Sequence, residues 1–344
     1  MLFTETKLIA AEVVATPRES HPRASAWSRK KSMEENSQPE SDYHIPVLLD
    51  EVMHFMAPDA GKVIVDGTLG GGGHSEAMLK QGAQVIGVDQ DEQALAYAGK
   101  RLSRFDDQFT ALRGNFATLP NLLAEAGIGK VDGLLVDIGV SSWQLDEAER
   151  GFSFGKEGPL DMRMDRSVEK TAADLVNQSS EDELKRIFRD YGEERAAGKL
   201  ARLIVERRIL QPFTKTTDLA NFIESVSPRG GKIHPATRVF QALRIAVNDE
   251  LGVLNAFLDH AAGLLNPGGR LAVITFHSLE DRIVKRFFKH ASQPQIDRKE
   301  WAEPRPNPDY CYKLLTRRPV VASDAEIQQN KRSRSAKLRV VEKI

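Results

Sequence analysis

From residue 63 onward, short apolar runs alternate with stretches whose apolar positions recur every three or four residues. Val63-Ile64-Val65 closes on Asp66, Val85-Ile86-Gly87-Val88 on Asp89, and Leu134-Leu135-Val136 on Asp137; Phe109-Thr110-Ala111-Leu112 lies between the last two. Runs this short, apolar throughout and rich in β-branched residues read as strands buried on both faces. Residues 74–80 and 93–102 have helical spacing. Strands alternating with helices build a parallel sheet covered on both sides. The alternation then stops, and residues 153–243 carry only loops and amphipathic helices, such as 181–189 and 194–210. It resumes at Leu271-Ala272-Val273-Ile274-Thr275, after the turn-forming quartet Asn266-Pro267-Gly268-Gly269. The pattern predicts an α/β sheet formed by residues 43–147 and 244–344, with a helical domain, residues 148–243, inserted between two strands. Residues 1–42 mix Pro, Ser, Arg, Glu and Asn without apolar periodicity and read as a disordered extension, with Met33 as an alternative start.

Composition narrows the function. At 344 residues and 41% hydrophobic, the chain can bury a substantial core. The formal net charge is −1, so any affinity for nucleic acid must come from local basic patches. A single cysteine, Cys311, excludes intrachain disulfides and cysteine-based zinc sites, which suits a reducing cytoplasm. No apolar run reaches membrane-spanning length, and the first residues make a poor secretory signal.

The loop after the first strand, Asp66-Gly67-Thr68-Leu69-Gly70-Gly71-Gly72-Gly73-His74-Ser75, sits where open α/β sheets bind ligands. Its glycines allow positive φ and close backbone approach, though a merely tight turn would use them too. Asp89 ends the second strand 23 residues after Asp66. A carboxylate there accepts the hydroxyls of a nucleoside ribose; the plainer reading is a helix N-cap. A nicotinamide dinucleotide is disfavoured because the loop lacks the spaced glycines of that class. Phe116, after the third strand, either flanks an adenine or belongs to the core.

Several further strings carry a resemblance. They are Leu135-Val136-Asp137-Ile138-Gly139-Val140-Ser141-Ser142, Gln144-Leu145-Asp146, Arg150-Gly151-Phe152-Ser153-Phe154 and Gly158-Pro159-Leu160-Asp161-Met162-Arg163-Met164-Asp165. Tyr191-Gly192-Glu193-Glu194-Arg195, the run from His234-Pro235-Ala236 to Ile245, Phe276-His277-Ser278-Leu279-Glu280-Asp281-Arg282, and Arg332-Ser333-Arg334-Ser335-Ala336-Lys337 complete the set. With the glycine loop, and in this order, they resemble the bacterial 16S rRNA cytosine-N4 methyltransferase family from about residue 43 to the end. The resemblance implies a class I S-adenosylmethionine-dependent methyltransferase, with a Rossmann-like sheet, acting on the N4 amine of cytosine 1402 in the ribosomal decoding centre. It implies cofactor contacts for Gly72, Gly73, His74, Asp89, Phe116, Asp137 and Gln144. It implies 16S rRNA within the small subunit as partner, no metal and no obligate protein partner. Two departures stand out: Lys331 follows Asn330 where the family usually has Pro, and the N-terminal extension is unusual.

Cytosine N4 is a poor nucleophile because its lone pair is delocalised into the ring. An acceptor for its hydrogens would assist attack. Asp137 is the candidate catalytic group, although a contact to cofactor alone is an equal reading. His277, just past the last strong strand, is either a second polar group in the site or a structural hydrogen-bonder. The target base must be single-stranded or splayed. Phosphate contacts are expected from Arg282, Lys285, Arg286 and Lys289, which share one helix face; from Arg195, Lys199 and Arg202; and from tail residues including Arg332 and Arg334. A small-molecule methyltransferase is disfavoured by the helical insertion and these stripes. A non-catalytic RNA-binding protein is disfavoured by the intact loop, Asp89 and Asp137.

Overall fold

The strand–helix alternation forms in the computed structural model, which describes residues 46–227 and 234–344; the expected extension, residues 1–42, and Met33 lie outside the described residues. Helix α1 (Leu49–Met56) precedes β1 (Val63–Asp66), α2 (Gly73–Lys80), β2 (Gln84–Asp89), α3 (Glu92–Leu102), β3 (Phe109–Arg113), α4 (Leu119–Glu125) and β4 (Val131–Asp137). Then come α5 (Ser142–Asp146), α6 (Ala172–Gln178), α7 (Glu181–Asp190), α8 (Ala197–Leu210), α9 (Thr216–Val226), α10 (Ala236–Asn248) and α11 (Glu250–Leu264). The chain closes with β5 (Leu265–Thr275), α12 (Ser278–Ala291), the short pair β6 (Gln295–Ile296) and β7 (Arg305–Pro306), β8 (Tyr312–Leu314), α13 (Asp324–Gln329) and β9 (Lys337–Lys343).

The main sheet has the order β3-β2-β1-β4-β5-β9-β8. Strands β1 to β5 are parallel, and β9 runs antiparallel between β5 and β8. This order, with its one reversed strand, is an open α/β sheet of the kind the strand–helix alternation predicts. The chain leaves β1 for β2 on one side and returns to β4 on the other, so a crevice opens between the carboxyl ends of β1 and β4. Asp66, Asp89 and Asp137 all end strands at that edge.

Alternation within each strand feeds two cores, which is why the runs are apolar throughout. Leu134, Val136, Leu271 and Val273 pack with Leu254, Phe257 and Leu258 of α11 and Val284 and Phe288 of α12. Leu135, Ala272 and Ile274 point the other way, toward Val52 and Met56 of α1, Met78 and Leu79 of α2, and Leu102 of α3. Helices α6 to α10 have a third core of their own, centred on Phe188, Phe213, Phe240, Leu184 and Leu243.

Three boundaries differ from expectation. Strand β5 begins at Leu265, ahead of the predicted turn: Val131 pairs with Leu265 and Gly133 with Arg270, so Asn266 to Gly269 bulge out within the pairing. Helix α8 starts at Ala197 because Glu193 takes a left-handed φ of 46° and the Glu194 side chain accepts from Ala196 N–H at 2.7 Å. The C-terminal residues read as a basic tail form β9 inside the sheet, with Leu338, Val340 and Val341 buried.

Candidate active site

The glycine loop is shaped by its backbone. Gly70 and Gly72 have φ of 49° and 74°, and a Cβ on Gly73 would stand 2.4 Å from Pro46 Cγ. Asp66 sits buried at its base, accepting from Ser75 Oγ at 2.7 Å and Thr68 N–H at 3.2 Å. Burial raises its carboxyl to about 6.

Asp89 is oriented by the loop it faces. Its Oδ2 accepts from Gly70 N–H at 2.8 Å and its Oδ1 from Asp91 N–H at 2.9 Å. The N-cap of α3 is Asp91, which accepts from Gln93 N–H, so Asp89 is not used as the cap. Burial raises the Asp89 carboxyl to about 6. Phe116 is half-buried, edge-on to Phe257 at 5.5 Å between centroids, so the ring is partly core and partly open.

His74 and Gln144 are engaged by protein. His74 Nε2 lies 3.0 Å from Val47 O, and burial pushes the imidazole down to about 4, so it is neutral and donates. Gln144 Oε1 accepts from Ser141 N–H at 3.1 Å, forming the capping box of α5, while Nε2 donates to Asp91 Oδ2 at 3.1 Å. The same Asp91 oxygen takes Arg150 Nη1 at 2.6 Å in a pair that is almost wholly buried. Arg150 Nη2 donates to the carbonyls of Arg163 and Met164. Asp91 therefore joins Asp89 to the segment leading into α6. Neither Asp91 nor Arg150 stood out in the sequence; the string Arg150-Gly151 was the available signal. Gly151 has φ 71°, and a Cβ there would meet Pro159 O at 2.2 Å.

Asp137 closes β4, with its N–H bonded to Thr68 Oγ1 at 2.7 Å. One carboxyl oxygen, Oδ1, is buried with no partner among the described residues. Burial, with the charges of Asp66 and Glu280, raises this carboxyl to about 8. Such displacement in a crevice makes this carboxyl a candidate functional group. Beside it, His277 N-caps α12: Glu280 N–H reaches Nδ1 at 3.4 Å, and Glu280 Oε2 accepts from Phe276 and His277 N–H at 2.9 and 3.2 Å. Glu280 is fully buried. Ligand atoms of Glu250, His277 and Glu280 lie within 4.8 Å of one another. Arg244 already donates to both oxygens of Glu250, at 2.7 and 2.9 Å, and supplies the counter-charge. We read the cluster as an ion-paired network.

The basic residues separate by partner. Lys285, Arg286 and Lys289 are exposed along α12, opposite buried Val284 and Phe288. Arg195 and Arg334 are exposed as well. Arg282 pairs with Glu193 at 3.0 Å, Arg332 with Asp146 at 2.9 Å, and Lys199 donates to Val226 O at 2.8 Å. Arg202 lies 3.7 Å from Glu206. Lys337 and Arg339, in β9, are committed to Asp281.

These residues fit S-adenosylmethionine on two observations. Gly70 and Gly72 turn the loop through left-handed φ without side chains, and Asp137 offers a buried acceptor atom with no protein donor among the described residues. The sequence matches the MraW methylase family over residues 41–344. It is 50% identical over 304 residues to the ribosomal RNA small subunit methyltransferase H of Carboxydothermus hydrogenoformans, covering 88% of this chain and 98% of that one. Proteins of the same name from Heliobacterium modesticaldum and Geobacter sulfurreducens are 50% identical over 309 and 307 residues, covering 88% of this chain and 99% of each.

Proposed function

The chain belongs to the MraW methylase family, and from that premise we propose that it methylates the N4 amine of cytosine 1402 in 16S ribosomal RNA within the small subunit. The half-identical relatives are named for methylation of small-subunit ribosomal RNA. The observation that carries the finer reading is the unpartnered Asp137 oxygen at the carboxyl end of β4. An exocyclic amine has hydrogens to donate and needs an acceptor that holds its lone pair toward the methyl. Such positioning contributes roughly 7–11 kcal/mol to a two-partner reaction. Methylation at a pyrimidine carbon would call for a thiolate nucleophile. The one cysteine, Cys311, precedes β8 at the far edge of the sheet, three strands from β4.

S-adenosylmethionine, when bound, supplies a methyl made electrophilic by its sulfonium. Gly72, Gly73 and His74 would hold it along the loop, Asp89 at the ribose and Phe116 beside the adenine. Gln144 acts through Asp91, which it fixes next to Asp89. Asp137 accepts from the amine. Lys285, Arg286, Arg195 and Arg334 face the phosphates, while Lys199, Arg282 and Arg332 exchange a protein partner for RNA. The helical unit, residues 148–243, recognises the substrate, and the target base is splayed into the crevice.

The test uses purified protein, small ribosomal subunits and methyl-labelled S-adenosylmethionine, with the RNA digested to nucleosides. Label in N4-methylcytidine is expected, with Asp137→Asn reducing it by about a hundredfold or more. Label in 5-methylcytidine, or in free cytidine supplied alone, refutes the proposal.

A further inference from the structure

Six buried side-chain polar atoms lack a hydrogen-bond partner among the described residues, and three of them gather at the ends of two neighbouring strands: Asp137 Oδ1, Glu280 Oε1 and His277 Nε2. Asp137 ends β4 and pairs with Ile274 of β5, three residues before His277. The His277 Nε2 and Glu280 Oε1 atoms stand 2.9 Å apart, yet out of alignment for a hydrogen bond. After burial and the charge of Asp66, the charge of Glu280 also raises the Asp137 carboxyl. Asp137, the fully buried Glu280 carboxyl and a histidine whose side chain is 10% exposed are thus brought together where β4 and β5 end and α12 begins.

Capping does not account for this line. The α12 cap uses only Oε2 of Glu280 and Nδ1 of His277, leaving the other atom of each unsatisfied. Ser, Thr, Asp or Asn ordinarily caps a helix without burying a charge. A buried carboxylate oxygen without a donor is costly, and such atoms in folded proteins call for an explanation. Asp137 feels the charges of Asp66 and Glu280, and the Arg244 guanidinium from α10 faces Glu250 of α11 and Glu280 of α12. Around this group, Glu193 pairs with Arg282, and Asp281 takes both Lys337 and Arg339.

We propose that Glu280 and His277 form a proton-exit pair behind Asp137, receiving the proton that the target amine loses on methylation. As the amine nitrogen forms its bond to the methyl, the sulfur–methyl bond breaks and its electron pair stays on sulfur. The nitrogen is left cationic and gives one proton to Asp137, recovering its lone pair. Asp137 passes that proton on to Glu280, and Glu280 passes it to His277 and water. Asp137 returns to the carboxylate, ready for the next amine. Glu280 and His277 are positioning residues in this scheme, acting through Asp137, and the inference rests on the reading that Asp137 faces the amine.

Glu280→Gln and His277→Asn test it, with Asp137→Asn as reference. Gln keeps an oxygen for the Phe276 and His277 N–H groups, and Asn is a favoured N-cap, so both substitutions preserve α12. Single-turnover methylation of small subunits should slow by about tenfold or more in each, with unchanged cofactor affinity. The acidic limb of the rate profile should move to lower pH in Glu280→Gln, because one of the two charges that raise Asp137 is gone while burial and Asp66 remain. The cofactor-free protein gives a readout independent of turnover: the pH range over which its stability falls should also move down in Glu280→Gln. Wild-type rates and pH profiles in both variants, with Asp137→Asn impaired, would reduce the pair to a helix cap and overturn the inference. An unimpaired Asp137→Asn would overturn the role of Asp137 instead.

Discussion

Replacing Asp137 by Asn should stabilise the cofactor-free protein, and more so as pH rises. Burial, with the charges of Asp66 and Glu280, lifts this carboxyl from 3.8 to about 8. A carboxyl raised in the folded state contributes its stability fully below the unfolded value and loses it as pH climbs toward the folded one. The window is therefore about pH 4 to about pH 8. Each pH unit across it is worth about 1.4 kcal/mol, so roughly four units bound the effect near 6 kcal/mol. Asp137 is half-buried as a whole, and solvent screening on its open side lowers the expectation to about 3 kcal/mol. Asn has nearly the same size and no charge, so its curve lacks this slope. Asp66 and Asp89, also raised by burial, titrate in both proteins and cancel in the difference. Urea unfolding of the two proteins, side by side from about pH 5 to about pH 8, measures it. Curves that diverge with rising pH, with the variant more stable and slower in methyl transfer, fit a carboxyl kept at the expense of stability for function. Parallel curves would mean that Asp137 ionises freely in the fold, and the electrostatic description of the site would be wrong.

Asp89→Ala should weaken cofactor binding by about 1.5–3 kcal/mol, roughly ten- to a hundredfold by isothermal titration, because the ribose loses a charged acceptor; wild-type affinity would remove Asp89 from the site. Arg150→Met should lower the unfolding free energy by about 3–5 kcal/mol, since it strands Asp91 in a nearly dry pocket. Arg282→Ala, which opens the exposed pair with Glu193, should cost less than about 1 kcal/mol, and equal losses would contradict the burial argument. Reversing Lys285 and Arg286 together should weaken RNA binding without touching cofactor affinity. It should also flatten the dependence of log affinity on log salt by about 0.7 for each phosphate no longer neutralised. Filter binding with an unchanged slope would return the stripe to ordinary surface.

What could be read from the sequence followed distance along the chain. The strands ending in Asp66, Asp89 and Asp137 announced themselves because each is a local apolar run closing on a carboxylate. Strand β9 did not. Its Lys337 and Arg339 resemble a solvated tail until Asp281, more than fifty residues earlier in the chain, is seen to neutralise both. Asp91, Arg150 and Glu280 escaped for the same reason. A charged residue reads as exposed unless its distant partner is known, and burial is what makes these three informative. His74 and Gln144 carry a different lesson. Both belong to the motif, yet His74 Nε2 already bonds Val47 and the Gln144 amide already bonds Ser141 and Asp91. The α12 stripe was legible because i, i+3, i+4 and i+7 spacing is a local property of a helix.

The most direct measurement is mass mapping of 16S ribosomal RNA from cells lacking this protein. The account predicts that cytosine 1402 loses the one methyl carried on N4. The methyl should return with the wild-type gene and not with Asp137→Asn produced at the same level. An unaltered nucleotide at that position, or full restoration by Asp137→Asn, would contradict the account.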